Sequence, residues 1–176
     1  MDVKRILREG LMAGLIGAGA IALWYLVVDI IAREPFFTPS MLGSALFWGL
    51  KDPAQVVISA QAVAGYTLVH LMTFLIVGAV AAAFAHQAER IPAVLFLAAV
   101  GFAAFEFGFY IVLVVWAQPL LGALAWWSVA VGNAMAAVGM SYYLWRAHPR
   151  LREQLAAHPL GAAVDEPADS IGRIPQ

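Results

Sequence analysis

Asp29, His70, Glu106 and Asn133 are the residues of this chain whose types could do intramembrane chemistry, because each is the strongly polar member of a long apolar stretch. A carboxylate in such a stretch costs a few kcal/mol to insert even on lenient scales, so Glu106 needs a reason to be there. An acid, a histidine and an amide within reach of one another could relay protons or hold an ion. Counting 1.5 Å per residue from the outer helix ends puts Asp29 roughly 5 Å deep, His70 roughly 12 Å, Glu106 roughly 17 Å and Asn133 roughly 20 Å. If the helices turn these groups to a common interior, they form a descending ladder.

Each residue also has a plainer explanation. Asp29 precedes Arg33 by four positions, which suits an i,i+4 ion pair with both side chains reaching toward water. His70 shares a helix face with Tyr66, Thr67 and Thr73, any of which could satisfy a neutral imidazole. Asn133 reads as a hydrogen-bonding link between helices, and Glu106 could be a protonated partner of His70, Tyr110 or Asn133. Phe102, Phe105 and Phe109 lie near Glu106, with Tyr110 one turn beyond it. That aromatic run could line a site for a quinone ring, a lipid tail or an organic cation, or simply pack against lipid.

The elements that must position these groups follow from composition. Of 176 residues 63% are hydrophobic and 12% charged, far from the roughly 25% charged of soluble domains. A bilayer accommodates that balance, because a helix satisfies its own backbone and crosses roughly 30 Å of hydrocarbon with about 20 apolar residues. The apolar stretches predict spans at about 11–32, 62–85, 92–117 and 120–145. The first is too long for most signal peptides and lacks a convincing cleavage site, so it reads as a retained helix. Pro92 sits at a helix start, where its missing N–H costs little. Short connections at 86–91 and 118–119 force antiparallel neighbours. The predicted fold is an all-α, integral-membrane, four-helix antiparallel bundle. Residues 1–158 form the membrane domain, and 159–176 are predicted to be a disordered cytoplasmic tail after a short helical segment near 150–157.

Orientation is read from basic residues, which accumulate on the cytoplasmic side. Lys4, Arg5 and Arg8, then Arg90, then Arg146, Arg150 and Arg152 fall on one side, against Arg33 and Lys51 on the other. Both termini are therefore expected in the cytoplasm and the chain in the cell's inner, cytoplasmic membrane. The same bias argues against a dual-topology dimer. Between the first two spans, 36–52 reads as an interfacial helix with Ser40 as its N-cap and Lys51 at its end. Gly10, Gly14 and Ala18, Gly78 and Ala82, and Gly132, Ala136 and Gly139 recur at helix-packing intervals, for internal packing or a homodimer seam. Tryptophans and tyrosines near span ends, including Trp126, Trp127, Tyr142, Tyr143 and Trp145, read as interfacial belts.

Several chemistries are disfavoured. The absence of cysteine removes disulfides, thiolate metal sites and dithiol redox chemistry, and a net charge of −1 gives no footprint for nucleic acid. A bis-histidine haem within one chain fails, since His86 lies about 24 Å along the helix from His70, although two copies of His70 across a dimer could serve. A metal site of His70, Glu106 and Asp29 has suitable ligand types but no i,i+3 or i,i+4 pair. No Ser–His–Asp pattern, nucleotide loop or HExxH occurs. In span number and loop pattern the chain resembles many small four-span bacterial membrane proteins, a resemblance that carries no functional residue over. The expected function is a structural or accessory subunit of a membrane complex, or a homo-oligomeric bundle, whose partners are the lipid bilayer and other membrane subunits or itself. The alternatives are a proton-coupled carrier or channel using Glu106 and His70, and a quinone- or lipid-binding redox or enzyme subunit.

Overall fold

The computed structural model describes residues 3–116 and 126–157, and every regular element among them is helical. The order is α1 (Val3–Ala32), α2 (Phe37–Trp48), a 3-10 turn (Pro53–Gln55), α3 (Ala60–Ala88), α4 (Val94–Trp116), α5 (Trp126–Ala147) and α6 (Pro149–Ala157). The connection expected at 118–119, the first residues of the expected fourth span and the tail at 159–176 lie outside the described residues. Among those described, α1 and α3 are long and apolar enough to cross a membrane, at 30 and 29 residues. Helices of that length run to about 45 Å, longer than a hydrocarbon core, so their ends reach beyond it.

Small residues decide how α1 and α3 meet. A Cβ on Gly10 would lie 2.6 Å from the Ala79 Cα, and one on Gly14 would stand 3.0 Å from the Leu75 Cα. A Cβ on Gly78 would overlap the Gly10 carbonyl oxygen. The glycine spacing thus serves close backbone approach inside the chain, where dispersion contact between the two helices does the work. Helix α5 packs on the same face of α1: Met140 and Leu144 join Ile6, Ala13, Ala82 and Ala85 in the main buried cluster. Tyr143 packs against this cluster, unlike the exposed Tyr142 and Trp145 expected beside it in an interfacial belt.

Contacts at both ends fix the directions of the helices. At one end Trp24 Nε1 of α1 donates to the Ser128 carbonyl of α5 at 2.8 Å, and Trp24 meets Trp127 edge-on. At the other, Arg5 of α1 donates to the carbonyl of Ala147, the last residue of α5. Helix α1 therefore runs antiparallel to α5.

The segment between α1 and α3 departs from expectation at both ends of its helix, since α2 stops at Trp48 and leaves Lys51 outside it. Ser40 is not the N-cap of its helix; α2 begins at Phe37, after Phe36 in the left-handed region (φ 67°). The amide of Thr38 is instead capped from outside, by the Asp29 carboxylate of α1. Ser40 Oγ accepts from the Ser59 amide, and Ser59 in turn caps α3 by accepting from Ala62 N. Gly49 ends α2 in the left-handed conformation that favours glycine at a C-terminus. Helix α2 lies close on α3, where a Cβ on Gly43 would overlap the Ala62 carbonyl. Further on, Pro92 lies in the turn before α4 rather than within its first helical residues.

Candidate functional site

The expected polar groups are placed as follows. Asp29 is fully buried, so its side chain does not reach toward water. It accepts from Thr38 N at 2.7 Å and from Thr38 Oγ1 at 2.6 Å, with Arg33 Nη1 at 3.6 Å. The expected ion pair with Arg33 exists, but the acid's main contacts organise the start of α2. His70 uses none of its expected hydroxyl partners for the hydrogen bond described. Its Nε2 meets the Ala18 carbonyl of α1 at 3.3 Å, and its ring stacks on Tyr66 and tilts against Phe74. This is a half-buried imidazole tying α3 to α1.

Glu106 is half-buried and accepts a 2.8 Å hydrogen bond from Asn133 Nδ2 of α5. The depth arithmetic that set these residues within about one turn of each other therefore corresponds to a contact between α4 and α5. Tyr110 is exposed on α4, as is Phe102. The side chains of Phe105 and Phe109 lie outside those described. Among the described contacts, Glu106 and Asn133 are the two expected residues that meet; Asp29 and His70 are each engaged elsewhere.

Among the described residues, the densest polar cluster lies at the opposite end of α1 from Asp29. Glu9 of α1 is 3% exposed and His148, in the break between α5 and α6, is fully buried. Glu9 Oε2 stands 2.8 Å from His86 Nε2 of α3 and 3.1 Å from His148 Nε2. Glu9 Oε1 accepts from Arg5 Nε at 2.8 Å. The second nitrogen of His148, Nδ1, lies 2.8 Å from Glu89 Oε1, and the two imidazoles meet edge to face with centroids 4.6 Å apart. An ionised carboxylate only accepts. His148 therefore stands between two acids, with an oxygen of Glu9 against one ring nitrogen and an oxygen of Glu89 against the other.

Local sequence explains how these groups converge. Arg5 and Glu9 are one turn apart on α1, which sets their pair before any tertiary contact. His86 and Glu89 close α3, where small neighbours Ala82, Ala85 and Ala88 are buried and let α1 approach. Pro149 cannot continue α5 without distorting it and suits the first turn of α6, so His148 is held at the corner. The sequence reading missed Glu9, Glu89 and His148 because they flank the spans and look like interfacial polar residues. A usable signal was present: the charge bias alone puts the start of α1 and the ends of α3 and α5 on one side, where an acid and two histidines would meet.

Neither protein-family models, curated proteins nor solved structures give any match to this chain.

Proposed function

We propose that the protein is a four-span, multi-pass bundle of the cytoplasmic membrane, with α1, α3, α4 and α5 crossing and both termini in the cytoplasm. In this reading it serves as a non-catalytic subunit that packs against further membrane helices, of a partner subunit or of a second copy. Large apolar side chains face outward along all four helices, Leu23, Leu68, Phe107 and Val138 among them, which supports a lipid environment. The basic residues of the α1 start, the α3–α4 turn and the α5 end support the orientation.

The observation that carries the subunit role is the state of α4. None of its described side chains is buried, and a Cβ on Gly101 or Gly108 would meet nothing within 4 Å. These glycines are seven apart and share a face with Ala104, the pattern that on α1 and α3 receives a neighbouring backbone. A missing helix fits that face. Native mass spectrometry of protein gently extracted from its own membranes is the test. A complex with heterologous subunits or a defined homo-oligomer, lost on Gly108→Ile, is the expected result. A monomer carrying lipid alone overturns the reading.

A second reading, a proton-coupled carrier or channel, draws on the Glu106–Asn133 hydrogen bond. Among the described residues this half-buried acid has a single amide donor, on one oxygen, which leaves the other oxygen for a proton or a cation. Glu106→Gln preserves an acceptor for Asn133 while removing the titrating group. Loss of proton-driven flux in vesicles with normal folding supports this reading, and unchanged flux removes it.

A further inference from the structure

We propose that Glu9, His86 and His148 form a mononuclear site for a divalent transition cation of the zinc type, joining the cytoplasmic ends of α1, α3 and α5. The three ligand atoms lie within 4.8 Å of one another. Zinc bound at 2.0–2.2 Å in a tetrahedron keeps its ligands about 3.3 Å apart. Glu9 Oε2 stands 2.8 Å and 3.1 Å from the two imidazole nitrogens, so an ion needs those two pairs to open by a few tenths of an ångström and the two imidazole nitrogens, within 4.8 Å of each other, to settle near the same spacing. Two imidazoles and one carboxylate are also the donor set of many zinc sites that keep a fourth position for water.

The surroundings fit that assignment. Glu89 holds His148 Nδ1 at 2.8 Å, which would fix the tautomer and aim the Nε2 lone pair at the ion, the usual supporting partner of a metal-bound histidine. Arg5 occupies Glu9 Oε1 and leaves Oε2 as a single ligating oxygen. Burial strengthens the case, since Glu9 and His148 are nearly sealed from solvent and sit where α1, α3 and the α5–α6 corner meet. A metal-free hydrogen-bonded network of the same side chains is the competing arrangement, and metal uptake separates the two.

The test uses full-length protein in detergent, stripped with chelator and titrated with Co2+, whose visible ligand-field bands report tetrahedral nitrogen and oxygen ligation. One ion per chain is expected, displaced by Zn2+, with the bands lost in His86→Ala and kept in His70→Ala. Glu89→Gln should weaken Co2+ binding about 10–100-fold without abolishing it. If His86→Ala fails to fold, the rise in Tm of the unmodified protein on adding Zn2+, and the absence of that rise in His86→Asn, give the same answer. Folded protein that takes up no Co2+ overturns the proposal, as do bands that persist in His86→Ala. Neither result bears on the subunit role of α4, which is read from assembly alone.

Discussion

Asp29 caps a helix to which it does not belong: both of its oxygens accept from Thr38, Oδ2 from the amide at 2.7 Å and Oδ1 from the hydroxyl at 2.6 Å. Orphan amides at a helix start are usually met by the helix's own Ser, Thr, Asp or Asn. Here a left-handed Phe36 turns the chain back so that α1 supplies the acceptor, and the acid is sealed from water. Asp29→Ala should cost about 1.5–3 kcal/mol, the range for hydrogen bonds to a charged group. Asp29→Asn, which keeps one acceptor, should cost less. Thermal melts in detergent check the order, and faster proteolysis within 33–59 in Asp29→Ala is expected alongside. An Asp29→Ala protein as stable as the parent would remove the cap from the account.

Gly78 and Gly19 give a paired test of close helix approach. A methyl group at Gly78 would overlap Gly10 O and press on the Gly14 backbone, which α3 cannot relieve by rotating a side chain. A methyl group at Gly19 meets nothing within 4 Å. Gly78→Ala should therefore destabilise by about 1–3 kcal/mol or more through forced backbone shifts. Gly19→Ala should be neutral or slightly stabilising, since alanine is the better helix former. Similar melting temperatures for the two variants would mean that α1 and α3 do not meet at Gly10 and Gly78.

How much of this was legible in the sequence depends on the range of the interaction. Helix content followed from apolar runs, and the Gly10, Gly14 and Gly78 spacing announced a close approach. For Glu106 the sequence offered His70, Tyr110 and Asn133 as partners, and Asn133 is the one in contact. What escaped was set by partners far apart in the chain. Ser40 suits a cap by the local pattern of its own helix, whereas Asp29 arrives from α1. Glu9, His86 and His148 are widely separated along the chain, and only the packing of three helix ends brings them to one point.

The chain has no cysteine, so single introduced thiols report topology cleanly. In a four-span protein with cytoplasmic termini, Lys4 faces the cytoplasm and Lys51 the opposite side. A membrane-impermeant maleimide applied to intact spheroplasts should label Lys51→Cys and leave Lys4→Cys unlabelled until the membrane is opened. Both are at exposed or half-exposed surface positions, so labelling measures side rather than burial. Labelling of Lys4→Cys before lysis would invert or break the proposed arrangement.

Glu9 is the residue on which the end of the bundle that holds Arg5, His86 and His148 depends, whichever cation balances it. Its two oxygens serve Arg5 on its own helix, His86 on α3 and His148 beyond α5, so removing it leaves several buried donors without an acceptor. Breaking a buried charged network by deleting one partner costs about 3–5 kcal/mol. Glu9→Ala should show a loss of that order. Glu89→Gln should cost far less, because Glu89 is more exposed and keeps an acceptor for His148 Nδ1. Because the contacts of Glu9 are shielded from solvent ions, the difference between Glu9→Ala and the parent should change little between low salt and about 1 M salt, where the Debye length falls to about 3 Å. A Glu9→Ala loss that disappears in high salt would place the carboxylate at the water interface, and the burial of the Glu9–His148 pair would then have to be abandoned.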